Sequence, residues 1–132
     1  MDFSWRGHVT TTELNALHAE AFESNVRGDD EWPWEAHLAE HSLGWVVARD
    51  GTHLSGFANV LWDGFTHAWI QDVMVAISAR HGGVGRQLIR QAQEHTRLAG
   101  CEWLHVDFEP DLAAFYIDAC GFTPTPAGLI RL

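Results

Sequence analysis

Residues 80–86 read R-H-G-G-V-G-R, three glycines between two arginines at the mouth of a helical pattern. A helix start carries N–H groups without partners and a partial positive charge. Glycines ahead of it let the backbone turn to positive φ and approach a ligand closely. The combination is a cradle for phosphate. Arg80 and Arg86 add positive charge in a chain with only eight Lys and Arg.

Two familiar phosphate cradles do not fit. The dinucleotide fingerprint needs G-x-G-x-x-G, whereas the stretch runs G-G-V-G-R-Q. The P-loop ends in G-K-[ST], and no such ending is present. A separate motif, His37-Leu38-Ala39-Glu40-His41, matches the H-x-x-E-H zinc signature and sets two histidines one helical turn apart. The helix there is short and no third ligand is assignable, so a metal site is not expected.

Periodicity supplies the elements that must position the glycines. Residues 10–24 open with Thr side chains able to cap and place Leu14, Leu17, Ala21 and Phe22 at helical spacing. Pro33 suits the first turn of a second helix over 33–41. Residues 44–62 read as two strands joined across Asp50-Gly51, with a further turn at Asp63-Gly64. Residues 67–75, WIQDVMV at their core, form an interior strand that is apolar on both faces. Beyond the glycines, Val84, Leu88, Ile89, Ala92 and His95 keep helical spacing until Gly100. A strand over 102–108 and a helix over 110–120, started by Pro110 and stopped near Gly121, follow. The last residues, 122–132, leave room for at most two short strands. The order predicts an α/β (α+β) layered domain with an antiparallel start and a later helical crossover.

Arg80, His81, Gly82, Gly83, Val84 and Gly85 fit [Q/R]-x-x-G-x-[G/A]. This pattern resembles the pyrophosphate loop of the GNAT superfamily of N-acetyltransferases. Met74-Val75 at the end of the preceding strand, the helix after the loop, the strand WLHVDF and the segment AAFYIDACGF resemble that family in type and order. The resemblance covers roughly residues 10–132, with its specific motifs between 70 and 122. It implies one acetyltransferase domain over 1–132, with a mixed, mostly antiparallel central sheet flanked by helices.

The resemblance also implies acetyl transfer from acetyl-CoA to a primary amine by direct attack, without a metal. Met74 and Val75 would pair with the pantetheine arm through their backbone. The loop N–H groups around His81, Gly83, Gly85 and Arg86 would hold the pyrophosphate. Tyr116, the only tyrosine, resembles the residue that protonates the leaving thiolate. Four residues separate Tyr116 from Gly121, where the family has three. One extra residue turns a helix by about 100°, so either the helix end absorbs it or Tyr116 points elsewhere. The family's early Asn in this helix is missing, with Glu109 or Asp111 near its place. Asp72 stands where many members carry an acid. His105 and Asp107 alternate on one face of the next strand, so either strand could present the base. A catalytically weak acyl-CoA sensor of the same fold is the alternative reading.

Composition narrows the partners. The formal charge of −10 repels nucleic-acid phosphates, so no nucleic-acid partner is expected. No apolar run approaches the ~20 residues of a membrane span, and the first residues lack signal-peptide character, so a cytoplasmic location and no membrane partner are expected. Cys101 and Cys120 read as small core residues. The stretch from Glu23 to His41, which takes in the loop after the first helix and the second helix, carries Glu23, Asp29, Asp30, Glu31, Glu35 and Glu40 against one Arg27, around Trp32 and Trp34. Acids beside indole faces suit a small cationic amine. The family makes a homodimer plausible.

Overall fold

The computed structural model describes residues 1–132. The elements run β1 (Asp2–Trp5), α1 (Thr11–Phe22), α2 (Trp34–His41), β2 (Ser42–Asp50), β3 (His53–Trp62), β4 (His67–Val75), α3 (Val84–Leu98) and β5 (Trp103–Val106). Single 3₁₀ turns cover Ile77–Ala79 and Pro110–Leu112, and a π-helix covers Ala114–Ala119.

The strands form one sheet in the order β1-β2-β3-β4-β5. All neighbours are antiparallel except β4 and β5, which run parallel because α3 carries the chain across between them. Strand alternation sends consecutive residues to opposite faces. Val46, Ala48, Val60, Ala68 and Ile70 pack against Val84, Leu88, Ile89 and Ala92 of α3. Val47, Leu54, Phe57 and Met74 pack against Leu14 and Leu17 of α1 and Trp34 and Leu38 of α2. The sheet is thus sandwiched between α3 and the α1–α2 pair. A reciprocal cap starts α1: the Thr10 hydroxyl accepts from Glu13 N–H at 3.2 Å, and the Glu13 carboxylate accepts from Thr10 N–H at 2.7 Å.

Two features, at the N-terminus and over 110–120, depart from the sequence reading, and a third settles what it left open. Residues 2–5 form an edge strand that half-buries Phe3 and Trp5 and exposes the residues between; their alternation is visible in the sequence, but over only four residues. Residues 122–132 form no strand. Pro124 and Pro126 cannot donate to a ladder, and Leu129 and Ile130 are each 86% exposed. The single helix expected over 110–120 is a 3₁₀ turn followed by the π-helix.

Candidate active site

The glycine stretch forms a bare cradle. His81 and Gly83 adopt φ of 64° and 83°, so the chain curls before entering α3. No backbone N–H from His81 to Arg86 donates to any acceptor in the protein; the α3 ladder starts with Gln87 N–H to Gly83 C=O at 3.1 Å. Residues 76–86 contain no acid. A run of free N–H groups at a helix start fits a pyrophosphate. The side chain of Val84 is buried in the core, so this residue can offer only its backbone. Arg80 turns its guanidinium away from the loop, onto Val75 C=O (3.4 Å) and Ala21 C=O (3.2 Å). Ile77 N–H donates to the Glu20 carboxylate at 2.6 Å. These bonds tie the end of α1 to the loop.

The strand that leads into the loop parts from its neighbour. β4 and β5 are paired only as far as Ile70 with Val106, so Gln71–Val75 have no strand partner on that side. A cavity of about 620 Å³ opens in the gap. Asp72, Asp107, Glu109 and Tyr116 line it, with Phe22, Val73, Phe108 and Leu112 among the apolar walls. Met74 is buried against the α1–α2 layer and pairs with Phe57 of β3, whereas the backbone of Val75, next along the strand, alternates to the open side.

Tyr116 reaches this cavity because the π-helix absorbs the extra residue. Cys120 N–H donates to Phe115 C=O five residues back at 2.9 Å, and Gly121 closes the segment at φ 83°. A single widened turn takes up one residue without rotating what precedes it. The Tyr116 ring lies parallel to Phe108 at 5.1 Å and edge-on to Phe115 at 4.8 Å. Only 6% of the residue is exposed, yet no buried side-chain polar atom lacks a partner. The phenol makes no hydrogen bond to the protein, so its oxygen opens on the cavity. Burial pushes its pKa above the usual tyrosine range, which keeps the proton on at neutral pH.

Asp72 owes its place to a β-bulge. Phe57 pairs with Met74 and Asn59 with Gln71, so Asp72 and Val73 together oppose one residue of β3. Asp72 takes φ of 55°. Its carboxylate accepts from Asn59 Nδ2 at 3.2 Å. Nothing in the sequence around Asp72 signals the bulge, because the non-glycine left-handed residue carries no glycine mark.

His105 is not brought to this cavity. It lines a second, outer cavity with Trp69 and Trp103. There it bonds the His67 ring at 2.7 Å and stacks on Trp69 at 5.0 Å. The parallel register sets His105 opposite Trp69, away from the gap, and only Asp107, two residues on, reaches it. A histidine that sequence reasoning passed over stands nearer: His18 of α1 packs on Phe22 at 4.8 Å. Burial lowers its pKa, and the Asp72 charge opposes that effect.

The acids of the α1–α2 loop and of the first turn of α2 are partly consumed as structure. Asp29 accepts from the Thr12 hydroxyl (2.5 Å) and Asn15 (3.0 Å), and these bonds lower its pKa. Glu35 accepts from the Thr11 N–H and hydroxyl, both at 3.0 Å, with the same effect. Trp34 is buried, its indole N–H on Asn15, and the Arg27 guanidinium sits 4.4 Å over Trp32. His37 and His41 lie 5.3 Å apart on α2, with His37 edge-on to Trp34. No group of three or more His, Cys, Asp or Glu side chains is placed to hold a metal ion. No helix is long and apolar enough to cross a membrane.

The geometry has counterparts among known proteins. The profile of the Acetyltransferase (GNAT) family matches residues 11–122. Glucosamine 6-phosphate N-acetyltransferase 1 of rice (Oryza sativa subsp. japonica) is 38% identical over 53 residues, which span 40% of this chain and 32% of that protein. A Trypanosoma brucei acetyltransferase superposes with a TM-score of 0.77 at 22% identity, covering 99% of both chains. The glucosamine-6-phosphate N-acetyltransferase of Arabidopsis thaliana gives 0.74 at 16% identity, covering 100% of this chain and 99% of its own. The cradle ahead of α3, the parted β4–β5 pair and the profile match over most of the chain agree, and the chain belongs to the GNAT family of acetyltransferases.

Proposed function

We propose that the chain is an acetyl-CoA-dependent N-acetyltransferase acting on a small, cationic primary amine. The observation that carries the reading is the unpaired N–H run from His81 to Arg86, at the end of the strand whose free edge lines the Asp72–Tyr116 cavity. Acetyl-CoA supplies the activated acyl group as a thioester. The backbone of residues 81–86 holds the pyrophosphate, and the free edge at Met74 and Val75 pairs with the pantetheine arm. Asp72, with Asp107 across the gap, takes the amine's proton directly or through water. Tyr116 keeps its proton at neutral pH and gives it to the departing thiolate. The backbone N–H near Val75 serves the thioester oxygen.

The amine's charge follows from the walls. Asp72, Asp107 and Glu109 line the cavity and no Lys, Arg or His does. Coulomb attraction favours an ammonium there and opposes a phosphate. The test is release of free CoA thiol from acetyl-CoA with ethylamine, 1,4-diaminobutane, glucosamine and glucosamine 6-phosphate, for the wild type and Tyr116→Phe. Turnover of an unphosphorylated amine, lost in Tyr116→Phe, is expected. Binding of acetyl-CoA without turnover of any amine would make the chain an acyl-CoA sensor. Preference for glucosamine 6-phosphate would overturn the cationic assignment.

A further inference from the structure

We infer that Asn59, itself held by Ser42, is a positioning residue that sets the direction of the Asp72 carboxylate toward the cavity; this rests on the assignment of Asp72 as a base. Asn59 is fully buried, at 0% exposure, in the middle of β3. Its Nδ2 donates to Asp72 Oδ2 at 3.2 Å, and its Oδ1 accepts from the Ser42 hydroxyl at 2.6 Å. The direction of the amide is dictated by chemistry. An ionised carboxylate only accepts, so the amide must turn its NH₂ to Asp72. That leaves the amide oxygen for the one proton Ser42 can donate.

The relay and the bulge depend on each other. In an unbroken strand, residues 71 and 72 would point to opposite faces. The bulge re-aims Asp72 so that its carboxylate meets Asn59, the ladder partner of Gln71. A left-handed backbone at a non-glycine residue costs about 1–2 kcal/mol and needs a neighbour that over-determines it. The buried amide is that neighbour. Ser42 joins the relay to the α1–α2 layer, because its own N–H closes the last turn of α2 on Leu38 C=O. One carboxylate oxygen is thereby engaged, and the other is left to the cavity that Asp72 lines.

The experiment is a double-mutant cycle on Asn59→Leu and Asp72→Asn, read as kcat for CoA release with the best amine of the panel above, with acetyl-CoA binding and the thermal midpoint measured on each variant. A well-placed base contributes roughly 10²–10⁴-fold, and about 1 Å of misplacement can cost up to roughly 10²-fold. Asn59→Leu is expected to lower kcat at least about tenfold in the wild-type background, with acetyl-CoA affinity kept, and to change nothing further in the Asp72→Asn background. Equal losses in both backgrounds would show an effect that does not pass through Asp72, and would overturn the inference. Wild-type kcat in Asp72→Asn alone would overturn the base assignment and the inference with it, an outcome read from that single variant. If Asn59→Leu does not fold, Ser42→Ala takes its place in the cycle, with Ser42→Thr expected to recover its loss because the hydroxyl returns. A Ser42→Ala loss that Thr does not recover would count against the relay.

Discussion

Gly85, in the first turn of α3, faces the ring of Phe115: a Cβ at Gly85 would lie 3.3 Å from Phe115 Cζ and 3.5 Å from Cε1. The glycine therefore does more than open the loop to a ligand. It lets the cradle sit against the segment that carries Tyr116, whose ring stands edge-on to Phe115. Replacing Gly85 by Val pushes Phe115 outward. The expected result is a stability loss of about 1–3 kcal/mol, read by urea unfolding, together with a lower kcat. Wild-type stability and turnover in Gly85→Val would contradict the coupling.

Tyr116→Phe is expected to lower kcat about a hundredfold or more while leaving acetyl-CoA affinity unchanged, since the ring packing survives. The pH dependence follows from the direction of the shift. The phenol's pKa is raised, so the acid form is complete at neutral pH and is lost only as pH rises through the raised value. No alkaline fall in kcat that depends on Tyr116 is expected below about pH 10. Such a fall near pH 8, absent in Tyr116→Phe, would contradict a buried phenol.

The cap of α1 is coupled to the sheet. Arg49 Nη2 and Nη1 reach the two oxygens of Glu13 at 2.7 and 3.0 Å. That hydrogen-bonded pair lowers the Glu13 pKa and raises that of Arg49. A lowered carboxyl pKa gives stability that is present above the unfolded value and lost as pH falls through the folded one. Glu13→Gln should therefore destabilise at pH 7, with the deficit shrinking below about pH 4. Thr10→Ala should cost about 1 kcal/mol. Denaturant titrations at both pH values check this; a Glu13→Gln deficit independent of pH would contradict the ion pair.

Arg80 lies in the loop by sequence, but its guanidinium bonds the carbonyls of Val75 and Ala21. Arg80→Met is expected to lower the thermal midpoint and to leave the salt dependence of acetyl-CoA binding as in the wild type. A flatter salt dependence would mean that the guanidinium meets the phosphates directly.

The glycine turn into a helix, the interior strand and the two helical layers were legible because each depends on local pattern: glycines before a helix, alternation in strands, spacing of Leu88, Ile89 and Ala92; Tyr116 stands out only through the family resemblance. What stayed hidden depends on long-range register. The bulge at Asp72 is a mismatch between β3 and β4, and the Ser42–Asn59 relay joins residues 17 apart. The sequence set His105 and Asp107 on one face of the next strand, and only the parting of β4 from β5 after Val106 separates them. The extra residue before Gly121 was visible, but the widened turn that absorbs it was not. The sequence leaves room for at most two short strands in residues 122–132, and with Pro124 and Pro126 there the segment forms none.

The most direct test of the account is calorimetric titration of the purified chain with acetyl-CoA, repeated with Gly83→Glu. Gly83 sits at φ 83° at the start of α3, so Glu there brings both backbone strain and a carboxylate to the anion cradle. The account predicts micromolar binding by the wild type and its loss in the variant, with the thermal midpoint of the variant showing that it remains folded. Absence of binding by the wild type, or wild-type binding by folded Gly83→Glu, would contradict the cradle.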